Sequence, residues 1–287
     1  MLQRTGETIS ASTLNVYPGG KGANQAAAAG KLGYPTYFLG QVGQDAHAGL
    51  LRNALEDSGV DISCLRAVDG PSGSAVILLQ PSGENSIIIV GGANMSQWEL
   101  VDEGRQLLQS AGGILLQREI PEEVNIMVAQ VAKEAGVPVL LDCGGMEGPI
   151  SEDLLKLLSV LSPNETELAR MTGKPTESDS EVEAAARQLL EQGVDTVLVK
   201  RGSQGSMLVT GRDNIKQPIF KVDKVIDTTG AGDCYTGAYS VAVLEGMEPA
   251  EALQFAAAAA SVCIQRQGAM PSLPRREEVT SALQEPQ

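Results

Sequence analysis

Residues 227–233 combine a glycine-rich turn with an aspartate, and such a combination could bind phosphate. The sequence there is DTTGAGD, the alternation at 220–226 predicts a strand before it, and the apolar run 234–244 predicts a helix after it. Unpaired N–H groups and the helix dipole attract anions at such a helix start. A carboxylate at that rim, here Asp233, suggests proton transfer. The alternative is structural, with Asp233 as a helix cap and the glycines as a turn. This stretch alone leaves both open.

Two better-known phosphate motifs are excluded. A P-loop requires Gly-Lys followed by Ser or Thr, and the three Gly-Lys pairs, at 20–21, 30–31 and 173–174, are followed by Gly, Leu and Pro. The dinucleotide fingerprint would need glycine where Tyr235 stands. Any phosphate binding at 227–233 is therefore of another kind.

Composition excludes several classes of partner. A net charge of −15 disfavours nucleic acid and anionic membrane surfaces, and 3% aromatic residues disfavour base-stacking platforms. The single histidine, His47, makes a histidine-based metal site or a Ser-His-Asp triad improbable. The four cysteines are too far apart in sequence for a metal knuckle or redox pair, so buried free thiols are expected.

The elements that must position these residues alternate between strand and helix. Apolar patterns predict helices at 23–32, 46–58, 98–109, 151–158 and around 182–189. They predict strands at 37–42, 114–116, 137–141 and 196–199, and a short strand that ends at 161. Two further strands, 74–80 and 86–90, form a hairpin that we expect to be a small separate sheet over a site. The rhythm predicts one domain over 1–287: a mostly parallel sheet covered on both faces by helices. Loops after Asp142, Asn164, Arg201 and Asp227 should then share one edge of the sheet.

Three motifs in order give a family resemblance. DTTGAGD at 227–233, GGKGANQA at 19–26 and SPNETE at 162–167 resemble the signatures of the ribokinase-like (PfkB) carbohydrate kinases. GAMPS at 268–272 is similar to the ribokinase branch, and QREIP at 117–121 with LDCGGM at 141–146 is similar to its plant-type members. The resemblance implies a three-layer α/β/α domain with a small β lid. It also implies ATP-dependent phosphorylation of O5 of D-ribose.

The resemblance assigns candidate roles on the sugar side. Asp233 would be the base that accepts the hydroxyl proton, with Gly230, Ala231 and Gly232 as the anion hole for the phosphoryl group. The other sugar-binding residues would be Gly20, Lys21, Gly22, Ala23, Asn24 and Glu119. Without the resemblance, Lys21 would be interpreted as a solvated charge in a loop. Glu119 would likewise be interpreted as a charged residue at the start of a helix.

It also assigns a nucleotide side and two cations. ATP would be bound by Asn164, Glu167, Lys200, Arg201, Gly202, Ser203, Gln204, Gly205, Gly232 and Ala257. Glu167 would organise Mg²⁺ through water, although SPNE is equally typical of a helix cap. A K⁺ site would comprise Asp227, Thr229, Cys263, Arg266, Gly268 and Ser272.

Three departures and two alternatives accompany the resemblance. Family members begin with a strand and an Asn/Asp turn that holds the sugar, and we expect this segment to be missing before Gly6. Lys200 stands where a small polar residue is common in the family. Ala257 stands where a polar residue near the adenine is common. The alternatives are another sugar or nucleoside kinase, such as a fructokinase, and an inactive remnant that only binds nucleotide or a partner. Lid strands within about 5–20 and 74–92 would pair between subunits, so a homodimer is expected, in the cytoplasm or the plastid.

Overall fold

The computed structural model describes residues 13–79, 85–146 and 148–284, without the side chains of residues 79, 85 and 86. The helices are α1 (Lys21–Lys31), α2 (Ala46–Asp57), α3 (Asp102–Ser110), α4 (Glu122–Ala135), α5 (Glu152–Leu155), α6 (Glu165–Thr172), α7 (Asp179–Glu191), α8 (Ala231–Leu244), α9 (Pro249–Cys263) and α10 (Arg276–Gln284). The strands are β1 (Thr36–Tyr37), β2 (Gly40–Val42), β3 (Val60–Asp61), β4 (Leu65–Ala67), β5 (Ser74–Leu79), β6 (Asn85–Val90), β7 (Ile114–Arg118), β8 (Val139–Gly145), β9 (Val160–Ser162), β10 (Thr196–Lys200), β11 (Ser206–Thr210) and β12 (Asn214–Gln217).

A six-stranded sheet in the order β12-β11-β10-β9-β8-β7 forms the centre of the described chain. Strands β7 to β10 are parallel, and β11 and β12 add an antiparallel edge. In β8 every residue from Val139 to Gly144 is buried, as expected of a parallel strand covered on both faces. The prediction of a mostly parallel sheet is confirmed, whereas the two antiparallel strands were not predicted.

Helices cover both faces of this sheet. One core cluster joins α1, α8, α9 and α10 to one face, and a second joins α4, α5, α6 and α7 to the other. Helices α1 and α8 contain alanine and glycine, and α9 is rich in alanine, so small side chains separate these helices in the core. This close packing places the N-termini of α1 and α8 side by side at one edge of the sheet.

The predicted hairpin is confirmed as β5 and β6, which form a separate antiparallel pair with Val76 opposite Ile88. Consecutive residues of both strands are exposed, so both faces of the hairpin are apolar and the described residues leave them about half uncovered. The exposed side chains are Val76, Ile77, Leu78, Ile87, Ile88, Ile89 and Val90.

Several predicted elements were wrong in extent. Residues 220–226 form no strand, because the N–H of Ile226 donates to the carbonyl of Ile264 (2.8 Å) in the loop after α9 instead of to a strand. The predicted helix at 98–109 begins only at Asp102, since Val101 is extended. The predicted strand at 37–42 is interrupted after Tyr37 and divided between two small sheets. Of 151–158, only Glu152–Leu155 is helical.

Residues 13–20, part of the first predicted lid segment, form neither strand nor helix, and 1–12 lie outside the described residues. Within the described ranges, none of the helices has the length and apolar content to cross a bilayer.

Candidate active site

Asp233 lies in the first turn of α8 and is held by two amide side chains from α1. Its Oδ2 accepts a hydrogen bond from Asn24 Nδ2 (2.7 Å), and its Oδ1 accepts one from Gln25 Nε2 (3.3 Å). The residue is only 5% exposed. Burial raises the pKa of Asp233, the Lys21 charge opposes this rise, and the nearby Asp142 charge adds to it. A carboxylate with a raised pKa near a helix N-terminus is suited to accept a proton.

Gly237 allows α1 to reach α8. A Cβ at this position would lie 2.8 Å from the Cβ of Ala28 and 2.9 Å from the carbonyl oxygen of Gln25. The absence of a side chain therefore sets the helix separation at which the amides contact Asp233.

A second layer of amides fixes Gln25. Gln117 Nε2 at the end of β7 donates to Gln25 Oε1 (2.7 Å), and Asn125 Nδ2 donates to the Gln117 carbonyl (2.8 Å). A Cβ at Gly22 would lie 2.7 Å from Gln117 Oε1. These contacts fix which end of the Gln25 amide points at Asp233.

Lys21 and Glu119 also line the cleft that contains Asp233. The backbone N–H of Lys21 donates to Glu119 Oε2 (2.8 Å), and Gly20 before it has φ 98°, which favours glycine. Burial raises the pKa of Glu119, whereas the Lys21 contacts lower it. Burial alone would lower the pKa of Lys21, but the carboxylates of Asp233, Asp142 and Glu119 outweigh it and raise that pKa. Lys21 is therefore a charged ammonium among carboxylates and not a solvated loop charge.

The predicted anion cradle coincides with the start of α8. Gly230 has φ 78° and precedes the helix, and the N–H of Ala231 donates to the Thr228 carbonyl (3.1 Å). Among described residues, the N–H groups of Gly232 and Asp233 have no acceptor. Two donors are thus free to bind an anion.

The nucleotide-side candidates meet where β9 and β10 end. Asn164 and Glu167 form a capping box, with Asn164 N to Glu167 Oε2 and Glu167 N to Asn164 Oδ1 both 2.8 Å, so the cap interpretation is confirmed. The loop 202–205 is a short 3₁₀ turn. Arg201 is buried and pairs with Glu165 and Asp179, so its guanidinium is held by carboxylates at the starts of α6 and α7. Ala257 is buried in α9.

The cation-site candidates fall into separate groups. Asp227 accepts from the N–H of Thr229 and of Gly268, both at 2.9 Å. Cys263 Sγ lies 3.1 Å from Ser272 Oγ, while Arg266 pairs with Glu278. In the described part of the chain no three His, Cys, Asp or Glu side chains cluster as a metal site. A cation here would depend mainly on backbone oxygens.

One cleft of about 3310 Å³ contains Lys21, Asn24, Glu119 and Asp233 and extends to the hairpin of β5 and β6. Gln25 and Gln117 lie within the family-like motifs and Asp142 was predicted to end a strand, but no role for any of the three follows from the sequence. Thr236, which donates to Asp142 Oδ2 (2.9 Å), was missed because it stands within an apolar helix. Its spacing, one turn after Asp233, was the available signal.

Comparison with known proteins identifies the family. The model of the pfkB family carbohydrate kinases matches residues 2–276. The chain belongs to the pfkB family of carbohydrate kinases. Among curated pfkB relatives, ribokinase of Arabidopsis thaliana is 51% identical over 98% of this chain and 76% of its own length. Ribokinase of Haemophilus influenzae is 34% identical over 98% of this chain and 92% of its own length.

A solved pfkB structure, Arabidopsis thaliana ribokinase complexed with ribose and ATP, has a TM-score of 0.95 at 51% identity. The alignment covers 100% of this chain and 94% of that one. The predicted ribokinase-like α/β/α fold is therefore confirmed, and so is the family resemblance carried by the three sequence motifs.

Proposed function

We propose that the protein transfers the γ-phosphate of ATP to O5 of D-ribose. The observation that carries the proposal is Asp233, buried with a raised pKa between the amides of α1 and the free N–H groups of α8. The Arabidopsis relative, at 51% identity, is a ribokinase, and its solved structure holds ribose and ATP.

Ribose would bind against α1, where the groups suit a ligand made of hydroxyls. Asn24 Oδ1 is buried and has no hydrogen-bond partner among described residues. A buried acceptor of this kind costs free energy unless a ligand donor satisfies it. Lys21, Glu119 and the backbone of Gly20, Gly22 and Ala23 supply further donors and acceptors for the sugar.

Phosphoryl transfer needs alignment and charge stabilisation more than covalent chemistry. Asp233 takes the O5 proton as that oxygen bonds to the γ-phosphorus and the bond to ADP breaks. The Gly232 and Asp233 N–H groups, with the turn of Gly230 and Ala231, would face the oxygens on which charge accumulates.

ATP would lie across the ends of β9 and β10. Asn164, Gly202–Gln204, Gly205 and Ala257 would line its base and ribose, with Lys200 and Gly232 near its phosphates. Glu167 fits a water-mediated Mg²⁺ contact, because only Oε2 is used in the capping box. The metal would supply charge neutralisation on the phosphates.

K⁺ would bind beside the cradle, near Asp227, Thr229, Cys263, Arg266, Gly268 and Ser272. The two backbone N–H groups on Asp227 fix this loop against the 227–233 turn. A bound cation would therefore stabilise the turn that carries the anion hole.

A homodimer through the hairpin of β5 and β6 is part of the proposal. Val76 is 49% exposed and Ile88 opposite it is 55% exposed, with apolar neighbours on both faces. A second copy of this hairpin would cover them, since apolar patches of this kind mark association surfaces.

A substrate panel tests the function. With Mg²⁺-ATP and K⁺, ribose should give a higher kcat/KM than fructose or a nucleoside. Faster turnover of either competitor would favour another kinase of this family, and absence of turnover from folded protein would overturn the proposal.

A further inference from the structure

Asp142 is a buried carboxylate in β8, at the last residue that pairs with β9, and none of the proposed binding roles uses it. The strand lies in the interior of the central sheet, between β7 and β9, and the Asp142 side chain is only 3% exposed. Its Oδ1 accepts from the N–H of Gly144 (3.0 Å) and its Oδ2 from Thr236 Oγ1 (2.9 Å). Its strongest partner is the ammonium of Lys200, which also bonds to Oδ2.

Lys200 reaches this carboxylate from the end of β10. Its Nζ also lies 3.2 Å from Thr236 Oγ1, so three elements, β8, β10 and α8, converge on one point. A Cβ on Gly232 would lie 4.0 Å from this Nζ. The ammonium is thus held near Gly232, the residue of the cradle whose N–H group is free.

Lys21 is a second positive charge near Asp142. A Cβ on Gly144 would lie 2.6 Å from Lys21 Nζ. Burial alone would raise the pKa of Asp142, but the charges of Lys200 and Lys21 outweigh it and hold that pKa below its ordinary value. One ionised carboxylate therefore lies between the lysine of the sugar side and the lysine of the nucleotide side.

We propose that Asp142 is a positioning residue that holds the Lys200 ammonium beside the α8 cradle, where Lys200 stabilises the phosphoryl group during transfer. A buried ion pair contributes little to stability compared with apolar side chains of similar size, so fold stability alone does not account for it. An ammonium already held in a water-poor site needs no reorganisation when phosphate charge develops. Thr236 keeps the pair aligned by donating to the same oxygen.

The inference rests on the proposed phosphoryl transfer and extends it. Lys200 would contact the phosphate group that distinguishes ATP from ADP. Its loss should lower kcat and the preference for ATP over ADP, and leave the KM for ribose nearly unchanged. Because Asp142 acts through Lys200, the two substitutions should not be additive.

The test compares K200M, K200R, D142N and the double variant D142N/K200M. We expect K200M to lower kcat about 100-fold, as loss of one transition-state donor does elsewhere, and K200R to recover much of it. D142N should also lower kcat. The kcat of the double variant should be no lower than that of K200M. The double variant removes both charges, so it should unfold at a temperature closer to that of the wild type than either single charge deletion does.

Binding provides an arm that does not depend on turnover. Affinities for ADP and for the non-hydrolysable analogue adenylyl imidodiphosphate are measured by calorimetry. K200M should raise the Kd of the analogue about tenfold more than it raises the Kd of ADP. The proposal is overturned if K200M keeps kcat within about threefold of the wild type, if the losses of the two single variants add, or if the two ligands weaken equally. A wild type that phosphorylates no sugar would overturn the proposed function, while the ADP and analogue affinities would still test Lys200.

Discussion

Asn24 Nδ2 donates to Asp233 Oδ2 at 2.7 Å, across 209 positions of chain. The contact joins the first turn of α1 to the first turn of α8. A hydrogen bond to a charged group contributes about 1.5–3 kcal/mol. It joins the motif at 19–26, proposed to bind the sugar, to the motif at 227–233, proposed to bind the phosphate, so two distant glycine motifs meet in one cleft.

Replacement of Asp233 by asparagine should abolish the base while preserving the shape of the site. We expect kcat to fall about 10²–10⁴-fold, the usual contribution of a general base. Burial raises the pKa of Asp233, so its ionised form costs stability above that pKa. D195N, at an exposed aspartate, is the matched control and should leave kcat unchanged; a D233N variant with near-normal kcat would exclude Asp233 as the base.

The acid limb of the pH profile should report Asp233. A base must be deprotonated, and its pKa is raised, so kcat/KM should rise with pH through a value above that of an ordinary aspartate. The Asn24 bond lowers that pKa, so N24A should move the limb to higher pH. The comparison requires kcat/KM profiles of both proteins from pH 4 to 9. A limb that stays in place or moves to lower pH in N24A would mean that another group titrates.

A methyl group at Gly237 should separate α1 from α8. The added Cβ would meet Ala28 and the Gln25 carbonyl at under 3 Å, and such overpacking costs about 1–3 kcal/mol. G237A should therefore unfold at lower denaturant concentration, and its kcat should fall because Asn24 and Gln25 move away from Asp233. G49A is the matched control: Gly49 lies within α2 with nothing near its Cβ position. That change should stabilise the protein by about 0.5–1 kcal/mol. Equal effects of the two changes would contradict the close-packing role.

Charges on the hairpin should disrupt dimerisation. The double change V76K/I88K puts two positive charges on directly opposed residues of β5 and β6. It should convert a dimer to a monomer in sedimentation or light-scattering measurements, since like charges in an apolar interface repel and lose hydration. I219K, at a position 43% exposed and outside the hairpin, should leave the mass unchanged. A wild type that is monomeric at all concentrations would rule out this interface.

Periodicity and motif order predicted the layered fold, the parallel strands and a helix after the 227–233 turn, because those features depend on local patterns; α8 begins at Ala231, three residues before the predicted 234. The strand predicted at 220–226 was wrong. The N–H of Ile226 bonds to the loop after α9, and the local alternation of apolar residues does not indicate such a long-range hydrogen bond. The sequence placed Asp142, Asn164 and Arg201 at one edge, and Asp142 indeed meets the end of β10 through Lys200. The direction of the Arg201 side chain toward Glu165 and Asp179 could not be predicted, because it depends on contacts between three separate elements.

Similarly, the roles of Gln25 and Gln117 required coordinates. Each is an ordinary amide in its own segment, and only the packing of α1 on α8 and β7 connects them to Asp233.

The most direct measurement is the position of the phosphate in the product. The purified protein is incubated with Mg²⁺-ATP, K⁺ and D-ribose, and the sugar product is analysed by ³¹P–¹H correlation spectroscopy, with D233N in parallel. The account predicts coupling of phosphorus to the two protons on C5, equimolar ADP, and no product above background with D233N. Phosphate on another carbon, ADP release without sugar phosphate, or equal product from D233N would contradict it.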